Sequence, residues 1–183
     1  CTPRTDELRW VRERSHAPAS RLGLLCWLKT FPILGRFALP ADIPAPLVAY
    51  LAERAGLEGI GLERYPRRTQ VRHRAEIRAV LGVKAWGDAA QALAIATMER
   101  IVGGRTHLSD LINGAIEALV AAHYELPALG TLRRLAGTVN ARATEAWLAT
   151  VASRLAAVHR ARLDALLVVP EGATESAFSK LCK

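Results

Sequence analysis

The chain has 183 residues, and its 25 Lys and Arg against 17 Asp and Glu give a formal net charge of +8. A hydrophobic fraction of 51% excludes a disordered basic tail, because it suffices for a packed interior. The three cysteines, Cys1, Cys26 and Cys182, form no closely spaced pair, which argues against a disulfide framework or a zinc finger. Their number suits a reducing, cytoplasmic environment, and no secretory signal or membrane-spanning apolar run is present.

Alanine and leucine dominate the composition and only 5% of the residues are aromatic, which favours helices over strands. No segment shows the alternation of apolar and polar residues that marks a half-buried strand. We therefore predict an all-α fold of roughly eight helices. They form one compact multi-helical domain over residues 1–183, or two small helical subdomains over residues 1–84 and 85–183.

Apolar periodicity and capping residues place these helices along the chain. Ser20 is the predicted cap of the second helix, which ends before Pro32, and a proline-rich connector, Pro32–Pro46, follows it. Asp88 and Ser109 are the predicted caps of the fifth and sixth helices. The eight predicted helices are Asp6–Arg14, Arg21–Phe31, Leu47–Arg54, Gln70–Leu81, Ala89–Val102, Asp110–His123, Thr131 to about Leu155, and His159–Val168.

The most informative stretch is Arg64–Lys84, which holds seven basic residues and one acidic residue, Glu76. Wound as a helix, Gln70–Leu81 has an apolar side made of Gln70, His73, Ile77, Val80 and Leu81. The opposite side is predicted to carry Arg67, Arg68, Arg72, Arg74 and Arg78. A solvated surface helix would also show such a pattern. The scarcity of acids and the choice of Arg over Lys favour binding to a polyanion such as nucleic acid.

A second basic region, Thr131–Arg162, has six basic residues and one acidic residue. A helix-turn-helix is suggested by two predicted helices, Asp110–His123 before this region and Thr131–Arg142 within it. The later helix would bury Leu132, Leu135, Ala136 and Val139 and expose Arg133, Arg134, Gly137, Thr138, Asn140 and Ala141. The connector Tyr124–Gly130 is longer than the usual three to four residues, so a plain helical hairpin fits the pattern equally well.

Residues for catalysis or metal binding are not grouped in this sequence. The five histidines are scattered, and we expect His73, on an apolar helix face, to be a hydrogen-bonded core residue. Cys26 lies in an apolar run, where a thiol is normally inert. Gly103-Gly104-Arg105-Thr106 lacks the strand and the spacing of a phosphate-binding loop. We therefore expect no active site, no metal and no cofactor.

The order of several segments resembles the N-terminal region of the large replicative transposases of the Tn-three family. The motifs that carry this resemblance are LGRF followed by a YLAE helix, the arginine-rich RHRAEIRAVLG, and LPALGTLRRL. The resemblance covers roughly Leu22 to Leu181. Its segments are Leu22–Phe37, Ile43–Leu57, Arg64–Gly82, His123–Arg142 and Arg162–Leu181.

The resemblance implies a helical region of a bacterial transposase that binds the terminal inverted repeats of a transposon. In that family a distant RNase-H-like domain with an acidic metal-binding triad performs DNA recombination. This chain has no such triad. Cys1 is not a methionine, and the sequence stops just after a new apolar group at Phe178 and Leu181, so we expect a fragment of a longer protein.

We therefore predict a sequence-specific, non-enzymatic DNA-binding module for transposition. Five arginines would bind phosphates: Arg67, Arg68, Arg72, Arg74 and Arg78. The candidates for reading bases are Arg133, Arg134, Thr138 and Asn140, with Arg142 as a further DNA contact. The predicted partners are double-stranded DNA, the rest of the transposase chain, and a second copy bound through other parts of that protein, with no membrane.

The alternative hypothesis is a helical interaction module whose basic face docks on an acidic protein surface. Sequence preference discriminates the two hypotheses, because a protein-docking face would bind DNA weakly and without preference. RNA is less favoured, since the few aromatic residues offer few stacking platforms.

Overall fold

The computed structural model describes residues 2–103 and 107–181. These residues form nine α-helices and one short 3₁₀ turn, and the only strand-like pairing among them is an isolated bridge between Lys84 and Tyr124. The predicted all-α class is confirmed. The helices are α1 (Thr5–Arg14), α2 (Pro18–Leu34), α3 (Ala45–Ala55), α4 (Arg67–Leu81), α5 (Asp88–Ile101), α6 (Leu108–Ala121), α7 (Leu129–Arg154), α8 (Ala157–Leu167) and α9 (Ala177–Leu181). The predictions for Cys1, Cys182 and the loop at 104–106 concern residues outside the described ranges.

The second helix is longer than the sequence predicted, because α2 continues through Pro32 to Leu34. The proline has no N–H to donate to the Leu28 carbonyl, and only two further helical residues follow it. Gly35 then ends α2 in the left-handed conformation, with φ of 65°, and its N–H donates to the Phe31 carbonyl over 2.8 Å. Ser20 is a buried residue inside α2 and not its cap, so that prediction was wrong.

Two further predicted caps are displaced. Gly87 is the N-cap of α5, and Asp88 is its first helical residue. His107 is the N-cap of α6, and its N–H donates to the Asp110 carboxylate over 3.3 Å. Ser109, the predicted cap of α6, is the second residue of that helix, so both cap predictions were wrong. The carboxylates of Asp88 and Asp110 lie in the first turns of α5 and α6, where they stabilise each helix through its dipole.

The first core cluster is built around α2, which packs against α1, α3 and α4. Trp27 lies at its centre, fully buried, and its indole N–H donates to the Ala38 carbonyl over 2.8 Å. The rings of Phe37 and Tyr65 each lie 5.2 Å from the Trp27 ring, in tilted or edge-on contact. Helix α4 packs against this aromatic group.

The second core cluster is a three-helix unit made of α5, α6 and α7. Each helix contributes three fully or almost fully buried apolar residues at helical spacing. These residues are Ala90, Ala94 and Met98 on α5, Leu111, Ala115 and Leu119 on α6, and Leu132, Ala136 and Val139 on α7. Val139 is the last buried residue of α7, which continues through Arg154 without a further one. The predicted inward stripe of this helix is therefore confirmed for Leu132, Ala136 and Val139.

Hydrogen bonds between backbone groups connect the two clusters. The N–H of Lys84 donates to the His123 carbonyl over 2.7 Å, and the N–H of Glu125 donates back to the Lys84 carbonyl over 2.8 Å. Leu126 reaches the first cluster, where its N–H donates to the Gly35 carbonyl over 2.7 Å. The subdomain limits of 1–84 and 85–183 remain a prediction.

Candidate nucleic-acid interface

The basic helix α4 is fixed to the first core cluster by two buried residues, His73 and Ile77. His73 Nδ1 lies 2.7 Å from the Tyr65 hydroxyl, so the predicted hydrogen-bonded core histidine is confirmed. Burial, together with the adjacent charge of Arg72, lowers the pKa of His73 to about 4. His73 is therefore neutral at neutral pH and adds no charge to the helix. Val80, predicted to face inward, is 53% exposed, because the buried stripe continues through the half-buried Leu81 instead.

Two of the five predicted outward arginines turn toward the core. The Arg74 guanidinium lies over the Trp27 ring at 5.1 Å and over the Phe37 ring at 5.6 Å. Arg78 lies over Phe37 at 5.7 Å and forms an ion pair with Glu125 at 3.6 Å. The prediction that these two residues project from the outer face was wrong. They follow His73 and Ile77 by one residue, about 100° around the helix, and so flank the buried stripe.

Glu125 gives Arg78 its partner at the junction of the two clusters. Burial raises the pKa of the Glu125 carboxyl, and the nearby guanidiniums of Arg78 and Arg74 oppose that rise. The side chains of Arg78 and Glu125 are only 22% and 17% exposed. This pair therefore joins the clusters, and sequence spacing gave no sign of it because the two residues are distant in the chain.

The other three arginines of α4 are exposed. Arg72 is held in part by Glu76, at 3.5 Å, and by the Arg14 carbonyl, at 3.3 Å. Arg67 and Arg68 are the first two residues of the helix and have no ion-pair partner among the described residues. The first turn of α4 contains no acidic residue. Two free guanidiniums therefore stand beside the N-terminal N–H groups of the helix, which attract anions.

The predicted base-reading residues lie on α7. Arg133, Arg134 and Thr138 are exposed, and Asn140 is half-buried. The Thr138 hydroxyl donates to the Arg134 carbonyl over 3.0 Å, which ties it to the helix backbone and leaves its oxygen free to accept. Neither Arg133 nor Arg134 has an ion-pair partner within the described part of the chain. The outer face is thus accessible, as a DNA-reading helix requires.

Arg142, further along α7, is exposed and pairs with Glu99 of α5 at 3.4 Å. Such an exposed pair contributes little stability, about 0–1 kcal/mol, so a phosphate could compete for the guanidinium. Beyond it, Trp147 and Leu148 are 59% and 52% exposed. No role was predicted for these apolar side chains.

The helix-turn-helix hypothesis concerns α6, α7 and the seven residues between them, 122–128. Both helices pack with α5 around one core, an arrangement compatible with that motif and with other three-helix units. His123, in the connector, adopts a left-handed conformation with φ of 57°. Backbone groups of this connector form the hydrogen bonds with Lys84 and Gly35 described above, so the connector needs more residues than a simple turn.

Other kinds of site have little support in the described ranges, 2–103 and 107–181. No group of three or more His, Cys, Asp or Glu side chains there could hold a metal ion. Cys26 is buried, and burial raises the pKa of its thiol to about 12, so it is a poor nucleophile. No helix in those ranges is long and apolar enough to cross a membrane.

Comparison with known proteins gives one family. No curated protein matches the sequence. Residues 2–139 match the family described as Domain of unknown function (DUF4158), and they make up about three quarters of the chain. The match ends at Val139, the last buried residue of α7. The chain therefore belongs to the DUF4158 family, and both of its core clusters lie within the matched residues.

Proposed function

We propose that this chain binds double-stranded DNA without catalysis, as the N-terminal part of a replicative transposase that recognises terminal inverted repeats. The observation that carries the proposal is a set of four exposed guanidiniums on two helices. Arg67 and Arg68 on α4, and Arg133 and Arg134 on α7, have no carboxylate partner in the described ranges. Charges left unpaired in this way are available to phosphates and to base edges.

The N-terminus of α4 supports the phosphate-binding part of the proposal. Cations at this end of a helix oppose the helix dipole, at a cost of about 0.3–1 kcal/mol each. Helices α1, α5 and α6 instead have an acidic residue in their first turn. A phosphate placed between Arg67, Arg68 and the free N–H groups of the first turn would reverse this cost.

The outer face of α7 supports the sequence-reading part. Arginine reads guanine through two parallel hydrogen bonds, and an amide such as that of Asn140 reads adenine in the same way. Gly137 has nothing within 4 Å of a Cβ built on it, so the helix surface is open at this point. The resemblance to Tn-three transposases supports terminal inverted repeats as the DNA, with the rest of such a transposase as a partner.

The structure also ranks the arginines that are candidates for phosphate binding. Arg74 and Arg78 are engaged with aromatic rings and with Glu125, so their first role is to position α4. Arg67 and Arg68 are therefore the strongest phosphate candidates on this helix. Arg72 and Arg142 are accessory candidates, because each would exchange an existing ion pair for a phosphate.

The test is a binding titration over a series of salt concentrations, using transposon-end duplexes of the resembled family and scrambled duplexes of equal length. We expect tight binding to the ends only. Each phosphate contact contributes about −0.9 to the slope of log K against log salt. Removing Arg67 and Arg68 together should therefore make this slope less steep by about 1.8. Arg133→Ala should cost about 1–3 kcal/mol on the ends and little on scrambled DNA.

A matched control removes two exposed arginines from other helices, Arg9 of α1 and Arg100 of α5. This variant has the same net charge as the variant lacking Arg67 and Arg68, so it separates local contacts from overall charge. Equal, weak and salt-sensitive binding to both kinds of duplex would refute sequence-specific recognition. That result would favour the alternative of a basic face that docks on a protein.

A further inference from the structure

We propose that a groove on the first core cluster receives helix α8 of a second copy of this chain. The groove has a volume of about 980 Å³ and lies between α3, the turn at Pro40–Asp42 and the segment 58–65. This volume is at the upper end of the range of about 300–1,000 Å³ for small-molecule pockets, and the groove is open to solvent. A segment of a protein partner can therefore enter it.

The chemistry of the groove is apolar inside and acidic at the rim. Its apolar lining includes Leu39, Ile43, Val48, Ile60 and Leu62. Three exposed glutamates, Glu53, Glu58 and Glu63, also line it, and none has an ion-pair partner among the residues described. Arg67 at one end is the only basic lining residue. Such a surface repels a polyanion and suits an apolar segment flanked by cations.

Helix α8 has the complementary pattern. Successive residues turn by about 100°, so Leu163, Leu166 and Leu167 share one side of the helix with His159. Arg160 and Arg162 lie on the two flanks of this side, and Asp164 lies beside Arg160. Leu163 and Leu167 are 50% and 61% exposed, and α8 has no buried residue at all. An apolar stripe left open to water marks a surface that binds a partner.

The contacts within one chain leave both surfaces unsatisfied. Helix α8 packs mainly against the short α9. The groove lies on the first core cluster, and α8 does not pack against the helices of that cluster. The eleven residues of α8 span about 16 Å, a length suited to the helix-in-groove mode of recognition. Charge and apolar character thus match between α8 of one copy and the groove of another.

Reciprocal exchange gives a closed assembly. If each copy inserts α8 into the groove of its partner, the two identical contacts are related by a two-fold axis and the product is a dimer. This contact uses no residue of the proposed DNA-reading face of α7. Arg67, a proposed phosphate contact, also lines the groove, but the tests of self-association use neither DNA nor a change at this residue.

The first test measures mass in solution by analytical ultracentrifugation over a dilution series. We expect the full chain to reach twice the mass of one chain. Leu163→Asp with Leu167→Asp should return it to a monomer, because both aspartates would face the apolar groove. The matched control is Val71→Asp with Val80→Asp, two valines on α4 that are 70% and 53% exposed and should leave the dimer intact.

The second test exchanges charges between copies. One variant carries Glu53→Lys and Glu58→Lys in the groove, and the other carries Arg160→Glu and Arg162→Glu in α8. Each alone should be monomeric, because lysines would face arginines or glutamates would face glutamates. An equal mixture should form dimers, since both reciprocal contacts again pair opposite charges.

Helix content by circular dichroism accompanies these variants, because Arg160 also donates to the Ala152 carbonyl at the end of α7, over 2.9 Å. A chain that stays monomeric up to about 1 mM, a concentration at which even a contact with a Kd of 1 mM is half formed, would overturn the proposal. A dimer unaffected by the α8 variants would overturn it as well. A mixture of the two charge variants that stays monomeric would also overturn it, because opposite charges on α8 and in the groove would then fail to restore the contact.

Discussion

Replacing Tyr65 with phenylalanine should loosen the attachment of α4 to the first core cluster. The Tyr65 hydroxyl and His73 Nδ1 are 2.7 Å apart, and the two residues are 5% and 0% exposed. Arg72 lies 3.4 Å from His73 Nε2, and a guanidinium can only donate. This contact favours the tautomer in which Nδ1 carries the proton and donates to the Tyr65 oxygen.

The expected magnitude follows from this burial. Phenylalanine keeps the ring contact with Trp27 but removes the acceptor of the His73 proton. A buried donor left without a partner costs about 1–3 kcal/mol. For a chain of this length, 1 kcal/mol corresponds to a fall in Tm of about 2–4 °C, so a loss of about 2 kcal/mol gives roughly 4–8 °C.

The assay is urea unfolding at neutral pH, followed by far-UV circular dichroism, with thermal unfolding as a second measure. The double variant Tyr65→Phe with His73→Leu is the control, because it replaces both partners by apolar groups. Its loss of stability should be smaller than the sum of the two single losses. A single Tyr65→Phe variant with an unchanged urea midpoint would refute the view that this hydrogen bond anchors α4.

Three further predictions follow from the structure. Folding lowers the pKa of His73 from 6.5 to about 4, so the stability that neutral His73 contributes is complete above pH 6.5 and is lost as the pH falls through 4. As the pH is lowered, the urea midpoint of a His73→Leu variant should therefore fall less steeply than that of the unchanged chain. Gly23→Ala should destabilise the fold by about 1–3 kcal/mol in urea unfolding, because the new methyl group would meet the buried Tyr65 ring. Gly137→Ala has open space around it and should stabilise the fold by about 0.5–1 kcal/mol. Equal effects of the two substitutions would contradict this prediction. Arg78→Ala should lower the urea midpoint, while Arg68→Ala should change stability by no more than about 0.5 kcal/mol and weaken DNA binding; the reverse order would contradict the assigned positions.

Helical periodicity predicted the elements well because amphipathic spacing is a local property. The buried stripe of α7 and the burial of His73 and Ile77 on α4 were both readable from the sequence. Helix ends were less accurate: Pro32 suggested a stop, yet α2 continues through it to Leu34 and ends at the left-handed glycine that follows, Gly35. The short helix α9 was not predicted.

The candidate site was predicted only in outline. The charge of α4 is a sequence property, but the direction of each arginine depends on distant partners. Arg74 turns inward because the Trp27 and Phe37 rings offer it a face, and Arg78 because Glu125 lies beside it. The groove beside α3 combines side chains from separate loops, so no spacing in the sequence could have shown it.

The position of Val139 has an evolutionary consequence. The residues matched to the family end there, and Val139 is also the last buried residue of α7. Substitutions in the rest of α7 and in α8 remove no buried side chain of either cluster, so selection for folding stability acts weakly on them. Relatives can therefore keep one packed scaffold while this appended segment diverges, and new assembly partners can arise without a new fold.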